Sequence, residues 1–391
     1  MGHERLTEVG YDVAVVSHIW SAGCATALAE YLRRRRRSRL LISHPFHRSP
    51  PESSFCEGVT SDGRSWRTNS PLPPIAEPYR YVLDFLDTVR WVVRFGPVDV
   101  LIGCGNINAL AGLLLRRLGR ARRVVFYAID YVPVRFNQRA LNLVYHWMER
   151  MCAQHSDCVW NVSPAMAAAR AEAGIPTESS APQLEVPVGG GFDLATRASS
   201  ASDSTTISFV GHLLPKQGLQ VIVQALREVL AAVPSVRLLV IGSGPYGDEI
   251  RDLAARLGVL PRIDFAGRID DPNVIYDLLS KSAIGVAPYL RELDTWTRYA
   301  DPGKIKDYLA AGLPIVTTDV PPIAPLLVDR GAGMIVDPTP AQMGSALTQL
   351  LTDRRRRRLM AESAHHLGLE YDWERIFDRA FQQLDAPRAQ G

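Results

Sequence analysis

Strand–helix alternation through both halves of the chain predicts an α/β protein of two Rossmann-like parallel-sheet domains facing a cleft. Three observations carry this. Apolar runs of strand length recur between amphipathic stretches from residue 11 onward. The alternation breaks at the small polar stretch ATRASSASDST (195–205) and then restarts. The chain has 391 residues, 47% hydrophobic and 22% charged. That suits two ordinary globular domains and excludes a disordered chain or a rod.

The elements follow in order. YDVAVVSH (11–18) reads as a buried strand, followed by a helix over 24–37 and the strand RLLISH (39–44). Residues 45–76 are rich in Pro and Ser and read as loop with one or two poor strands. A helix over 77–95, strand VDVLIGCG (98–105), a helix over 106–118 and strand RRVVFYAID (122–130) come next. A long helix over 137–153, strand DCVWNVS (157–163) and a helix opening on Pro164 continue the series, since proline suits a first helical turn. LEVPVGGGFD reads as a strand ending in three glycines. After the break, TISFVGHL (206–213) is a strand. The helix after it sets Leu219, Ile222, Val223, Leu226, Val229, Leu230 and Val233 on one face. Strands VRLLVIG, RIDFAG, AIGVAPY, PIVTTDV and GMIVD follow between helical segments. Helices over 339–351, 354–367 and 371–384 close the chain, and the last shows Trp373, Ile376, Phe377 and Phe381 on one side.

No apolar run approaches the roughly 18–20 residues that span a bilayer. MGHERLTEVG lacks a signal-peptide profile, so the expected location is cytoplasmic, with peripheral contact to the inner membrane face left open. The five cysteines, Cys24, Cys56, Cys104, Cys152 and Cys158, form no C-x-x-C pair and read as buried reduced thiols. Residues 1–195 carry 22 basic against 18 acidic side chains, and 196–391 carry 22 against 23. Five-arginine runs at 33–37 and 354–358, with a cluster from Arg116 to Arg123, read either as solvated helix ends or as a basic face for an anionic membrane or a phosphate-bearing acceptor. No aromatics interleave with them, which argues against nucleic acid.

GSGPYG (242–247) matches G-x-G-x-x-G between a strand and a helix. It lies in the second strand–helix step of its domain, and the next strand ends in FAG rather than in an acid. A dinucleotide cofactor is therefore disfavoured, and no cofactor is expected. The glycines at a helix N-terminus still suit a phosphate. There is no P-loop, no H-E-x-x-H, no G-x-S-x-G and no Cys/His metal spacing. No two aspartates are separated by one residue, so the usual carboxylate pair for a metal–diphosphate is missing. A diphosphate here would need basic side chains and backbone amides, and no metal site is expected.

ADPGKIKDYLAAGLPIV (300–316) is the most informative stretch. Asp301-Pro302 opens a helix, Gly312 can cap its end, and Lys304, Asp307 and Tyr308 share one face. Lysine is scarce: 40 arginines stand against Lys216, Lys281, Lys304 and Lys306. A compact ammonium in a loop at the strand ends is either a phosphate ligand or part of an ordinary exposed helix with an Asp cap. Lys306, one residue off the face, is expected to be silent on substitution.

With FVGHLLPKQGLQVIVQAL, LLVIGSGP, IDFAGRI, YDLLSKSAIGVAPY and DPGKIKDYLAAGLPIVTTD on the page, residues 205–345 resemble the C-terminal domain of GT-B glycosyltransferases of the family 4 type. APYLRELDTWTRYADPGKIKDY is similar to the corresponding stretch of xanthan-type glucuronosyltransferases, and SH (17–18), FYAID (126–130) and NVSPAM (161–166) also recur there. The general G-R-L-x-x-x-K-G motif reads GHLLPKQG here, with His212 and Gln217 at the arginine and lysine places. The resemblance implies the GT-B fold and a metal-independent transfer from a nucleotide-sugar, a UDP-sugar, to an acceptor hydroxyl. It implies an acceptor domain over 1–195, a linker over 196–205, a donor domain over 206–370, and a C-terminal helix, 371–391, returning to the first domain. The implied donor site comprises His212, Lys216, Gly242, Ser243, Gly244, Arg268, Tyr289, Lys304 and Asp307, with Asp307 on ribose hydroxyls. Gly23, opening the first helix, is a further candidate to approach phosphate, or part of a simple tight turn. Asp130, at a strand end, is the candidate base, or else a turn or cap residue; His18 is the alternative base or a donor-sugar contact. The acceptor is a glycan, a lipid-linked sugar or a small molecule. Family 4 members generally retain anomeric configuration and the xanthan-type enzyme inverts, so both outcomes stay open. The rival readings are a catalytically silent nucleotide-sugar-binding subunit and a nucleotide-sugar epimerase.

Overall fold

The computed structural model describes residues 10–19, 23–45, 53–71, 77–191, 204–293 and 296–386. The chain divides into two compact units, Met1–Pro187 with Phe377–Gly391, and Val188–Ile376.

The first unit is built on an eight-stranded sheet in the order β4-β3-β2-β1-β5-β6-β7-β8. Its strands are β1 (Tyr11–Ile19), β2 (Arg39–Pro45), β3 (Ser53–Val59), β4 (Ser65–Pro71), β5 (Val98–Cys104), β6 (Ala121–Ala128), β7 (Cys158–Asn161) and β8 (Gln183–Glu185). Helices α1 (Cys24–Arg34), α2 (Glu77–Phe95), α3 (Asn106–Arg117), α4 (Arg139–His155) and α5 (Pro164–Glu172) connect them. Val13, Ala14, Val15 and Val16 of β1 are all buried, because helices cover both faces of a parallel sheet. The Pro/Ser-rich segment does hold two strands: β3 and β4 pair antiparallel and extend the sheet from β2. Side chains of β3 alternate between buried and half-buried, as expected of a sheet extension with one covered face.

The second unit has a six-stranded parallel sheet in the order β11-β10-β9-β12-β13-β14. Its strands are β9 (Thr206–Val210), β10 (Arg237–Ile241), β11 (Ile263–Gly267), β12 (Ile284–Ala287), β13 (Ile315–Thr317) and β14 (Gly333–Ile335). Helices α6 (Leu219–Ala232), α7 (Gly247–Arg256), α8 (Pro272–Ser280), α9 (Gly303–Ala310), α10 (Ala324–Asp329), α11 (Pro340–Thr352) and α12 (Arg354–Gly368) cover it. The strand order reverses at β9 and β12, so the carboxyl ends of those two strands open the crevice where such sheets bind ligands. In the first unit β1 and β5 hold the same position.

The division between units falls earlier than the polar stretch suggests. Residues 196–203 of that stretch lie outside the described residues, and the boundary is between Pro187 and Val188. The reason is hydrogen bonding. Val188 N–H donates to Asp301 (2.8 Å), Gly190 N–H to the Tyr371 carbonyl (3.0 Å) and Gly191 N–H to Tyr276 Oη (2.7 Å), all within the second unit. The triple glycine is needed for contact. A Cβ on Gly190 would lie 2.8 Å from the Lys306 carbonyl, and one on Gly191 would lie 2.7 Å from the Tyr276 ring.

Several arginines of the basic runs and cluster are paired within the fold. Arg33 and Arg34 bond Glu30, and Arg35 bonds Asp378. Arg116 bonds Asp157, and Arg122 and Arg123 bond Asp99. Arg357 is buried and donates to the Leu350 and Leu351 carbonyls at the end of α11. Within the described residues all five cysteines are buried with no disulfide, and no helix is long and apolar enough to cross a membrane.

The last helix, α13 (Trp373–Asp385), is divided between the units at Ile376 and Phe377. In the first unit Phe381 stacks on Tyr31 (5.7 Å between ring centres) and meets Trp160 edge-on (5.6 Å). Tyr31 Oη donates to Asp378 (2.7 Å). Phe381→Ala removes a buried ring from two aromatic contacts and should cost about 3–5 kcal/mol in a denaturant titration. A loss below about 1 kcal/mol would show that this packing is not formed in solution.

Candidate active site

Helix α9 positions the donor-side residues. Tyr308 is fully buried, donates to the Val286 carbonyl (3.1 Å) and accepts from Val210 N–H (2.9 Å). One phenol therefore bridges β9 and β12 at their carboxyl ends and fixes the rotation of α9. Lys304, one turn earlier, is carried to the same strand ends. Gly312, in the left-handed region (φ +68°), closes the helix, and Leu313 N–H donates to the Tyr308 carbonyl (2.9 Å).

Lys304 is 9% exposed. Its Nζ donates to Gln217 Oε1 (2.6 Å) and lies over the rings of Phe209 (4.1 Å) and Tyr289 (5.0 Å). Among the described residues no carboxylate forms an ion pair with it. Burial pushes its pKa down to about 7. The ammonium thus has an amide oxygen and two ring faces but no counter-charge.

The backbone around it is tightly stitched. Gly211 N–H donates to the Ile241 carbonyl (2.9 Å), Gly242 N–H to the Gly267 carbonyl (2.7 Å) and Leu213 N–H to the Ser243 carbonyl (3.0 Å). Gly242 sits at φ +141°, and a Cβ there would fall 1.9 Å from the Gly211 carbonyl oxygen. A Cβ on Gly244 would fall 2.4 Å from the Leu213 oxygen. Gly242 and Gly244 are therefore required by the close approach of two loops, a reading that needs no dinucleotide.

The other donor-side candidates are scattered in character. Tyr289 is buried beneath Lys304. His212 is exposed, and Lys216 Nζ lies 5.5 Å over the half-exposed Trp296 ring. Arg268 is exposed and bonds Asp270 (2.7 Å). Asp307 accepts from Tyr276 Oη (2.7 Å), and burial raises its carboxyl to about 6 against that bond. Phe209, Gln217 as the partner of Lys304, and Trp296 were not predicted as parts of the site. The only sequence signal for Gln217 was its place in GHLLPKQG.

Two expectations for this stretch are corrected. Asp301 is no helix cap: its carboxylate accepts from Val188 N–H (2.8 Å) and Lys306 Nζ (2.7 Å). Lys306 is not a silent surface residue. It is 1% exposed, its partner Asp301 is 6% exposed, and its Nζ lies 3.9 Å over the Tyr371 ring. The helix turns Lys306 inward against the crossing segment, which the face count from Lys304 could not show.

In the first unit, His18 ends β1 beside His44 of β2. Asn108 Nδ2 donates to the Cys104 carbonyl (2.6 Å), which fixes it as the amide nitrogen, and it also reaches His18 Nδ1 (3.2 Å). His18 Nδ1 is then the acceptor, and Nε2–H donates to Asp84 Oδ2 (3.3 Å). Burial lowers the His18 pKa against that bond. Asp84 Oδ1 also accepts from Ser54 (3.1 Å) and lies 3.2 Å from His44 Nδ1, while His44 Nε2 meets Thr88 (2.8 Å). Burial alone would raise the Asp84 carboxyl, but its histidine bonds hold it well below the usual range. Both His18 nitrogens are thus occupied, which leaves no lone pair for base chemistry in this arrangement. Asp130 follows β6 and is 40% exposed on its side chain; Arg135 donates to its Oδ2 (2.7 Å). Gly23 is exposed at the N-cap of α1, in extended conformation, and residues 21–22 lie outside the described residues.

Removing Lys306 should leave Asp301 buried without its cation. Lys306→Ala is expected to cost about 3–5 kcal/mol in chemical unfolding; a change under about 1 kcal/mol would return it to the surface. Lys304→Met should do the opposite. Its folded pKa lies below its unfolded value, so the native state carries a penalty that is full below about pH 7 and fades as pH rises toward 10. The variant should be more stable than wild type at pH 6 and lose that advantage at pH 10.

Residues 204–353 match the family model described as "Glycosyl transferases group 1". A GDP-mannose-dependent monoacylated α-(1-6)-phosphatidylinositol monomannoside mannosyltransferase of Corynebacterium glutamicum is 28% identical over 194 residues, 47% of this chain and 49% of that protein. A phosphatidyl-myo-inositol mannosyltransferase of Mycolicibacterium smegmatis is 27% identical over 198 residues, 49% of this chain and 48% of that protein. The chain thus spans about half the length of the curated relatives it matches. In fold it is similar to sucrose-phosphate synthase from Thermosynechococcus elongatus (TM-score 0.70, 17% identity, 96% of this chain and 99% of that one). It is also similar to Anabaena HepE, solved with UDP and glucose (TM-score 0.68, 15% identity, 96% and 100%). Residues 204–353 are therefore a glycosyl transferases group 1 domain, carried in a two-unit chain of the GT-B glycosyltransferase fold.

Proposed function

We propose that the protein is a metal-independent glycosyltransferase that moves a sugar from a nucleotide-sugar to an acceptor hydroxyl. The observation that carries this reading is Lys304, an ammonium held at the strand-order reversal of the second unit without a counter-carboxylate. A diphosphate supplies that charge. Cleavage of the glycosidic bond adds negative charge to the leaving nucleotide, so a fixed cation stabilises the transition state more than the ground state. UDP bound to the similarly folded HepE supports a UDP-sugar as donor. The acceptor is a glycan, a lipid-linked sugar or a small molecule, and the lipid named for the mannosyltransferase relatives favours the second. Asp130 serves as base if the reaction inverts: its Oδ2 is held by Arg135, and Oδ1 has no hydrogen bond among the described groups. His18, closed on both nitrogens, orients neighbours instead.

Lys304→Ala should lower turnover about 100–1000-fold and weaken nucleoside diphosphate binding. Lys281→Ala is the control, an exposed lysine paired with Asp277 on α8, and should stay near wild type. Because the ammonium of the free protein titrates at about 7, UDP affinity should fall as pH rises above 7, and this dependence should vanish in Lys304→Ala. Asp130→Asn should cost about 100–10,000-fold in turnover with donor affinity little changed. Activity should persist in excess chelator. Equal behaviour of the two lysine variants, or loss of activity on chelation, would overturn the reading; binding without turnover for every donor would favour a silent subunit.

A further inference from the structure

Helices α2 and α4 both pack against α3 on one face of the first sheet, so their outer sides look away from the sheet together. Those sides are apolar. Tyr79, Val82 and Leu86 are exposed along α2 at helical spacing, and Leu143, Val144 and Trp147 along α4, with Leu143 71% and Trp147 53% exposed. Scattered exposed hydrophobics are ordinary, but two such stripes on the helices that flank α3, which itself exposes Leu114 and, at its C-cap, Leu118, mark a surface that meets something. The charge around them is one-sided. Among the described side chains of the two helices, Arg90, Arg94, Arg139 and Arg150 are exposed. No carboxylate is: Asp84 and Glu149 are buried, and Asp87 is half-buried. Glu149 is bonded internally to Arg170 (3.1 Å), as Asp84 is to its histidines.

We infer that this α2–α4 face rests on an anionic lipid bilayer. Aliphatic side chains with a Tyr and a Trp at the level of the headgroups, with Arg139 at the start of α4 and Arg90, Arg94 and Arg150 toward the helix ends, fit that boundary. A protein partner of matching shape would have to be acidic around an apolar centre, whereas an anionic bilayer offers both features without further specification. The stripes occupy the N-terminal halves of α2 and α4, toward the carboxyl edge of the sheet, where Tyr81 meets His18 and Asp130 precedes α4. A bilayer on this face would present a lipid-carried hydroxyl near that edge. In the five-arginine runs, by contrast, Arg33, Arg34 and Arg35 are paired with Glu30 and Asp378, and Arg357 is buried.

The test is co-sedimentation of the full chain with vesicles of phosphatidylcholine alone or with an equal part of phosphatidylglycerol. It uses neither donor nor turnover, so it fails or succeeds apart from the donor assignment. Binding should appear on the anionic vesicles and weaken in high salt. The double variants Leu143→Ser/Trp147→Ser and Arg90→Gln/Arg139→Gln should each lower the partition at least about tenfold, since each basic side chain at such a surface is worth about fivefold. Leu359→Ser, an exposed leucine of α12 in the other unit, should bind like wild type. The altered side chains are all exposed, and unchanged melting curves would confirm that folding is intact. Absence of binding to anionic vesicles, equal loss in Leu359→Ser, or concentration-dependent self-association abolished by Leu143→Ser/Trp147→Ser without any vesicle binding would overturn the inference.

Discussion

An ammonium buried against two aromatic rings, with an amide oxygen as its acceptor, opposes folding until an anion reaches it. Lys304 is in that state, and the parts around it are arranged to keep it there. Tyr308 pins α9 across β9 and β12. The loops after β9 and β10 approach within glycine distance and wall the site with backbone. Cation–π contact and one hydrogen bond offset part of the desolvation cost but leave the charge unneutralised. The fold thereby carries a preorganised positive charge at the strand ends of the second unit at a cost in stability.

The same helix carries a second, opposite solution. Lys306 is as buried as Lys304, yet it faces Asp301 and so is neutralised within the fold. That pair, with Asp307 and Tyr276, holds the backbone amides of Val188 and Gly191. One short helix therefore has a cation without a carboxylate partner among the described residues on one side and a completed ion pair on the other. Replacing residues of α9 acts on two different quantities, affinity and stability, according to the side touched.

Strand and helix order was legible because apolar runs and helical stripes are local signals, and the elements of both units fall where those signals lie. Lys304 was legible because lysine is scarce here and sits at a helix start beside a strand. The roles of Lys306 and Asp301 were not, since both depend on chain 113 residues away in sequence from Asp301, at Val188. The GGG stretch reads from sequence as a strand end, yet β8 stops at Glu185; the glycines' contacts with Lys306, Tyr276 and Trp373 are tertiary and leave no periodic trace. The arginine runs lie at helix ends, at the close of α1 and the start of α12, where most are exposed, but a count of charge does not reveal which guanidiniums are consumed by carbonyls and carboxylates at home.

The first unit raises the converse problem, a polar cluster that looks catalytic because it is fully satisfied. His18, Asp84, His44, Ser54 and Thr88 form a buried hydrogen-bonded set spanning β1, β2, β3 and α2. A histidine beside an aspartate invites a base assignment, but basicity at a reacting atom needs a lone pair that points outward. Here the amide of Asn108 takes Nδ1, and Nε2 carries the proton given to Asp84. Such a network holds the ends of β1 and β2 in register with α2, and its histidine bonds keep the Asp84 carboxyl low despite burial. Asp130, on that same edge, has different surroundings: Arg135 donates to one carboxylate oxygen, and the side chain is 40% exposed. Each unit thus holds a completed polar set, Lys306 with Asp301 or Asp84 with its histidines, beside a group with fewer partners, Lys304 or Asp130.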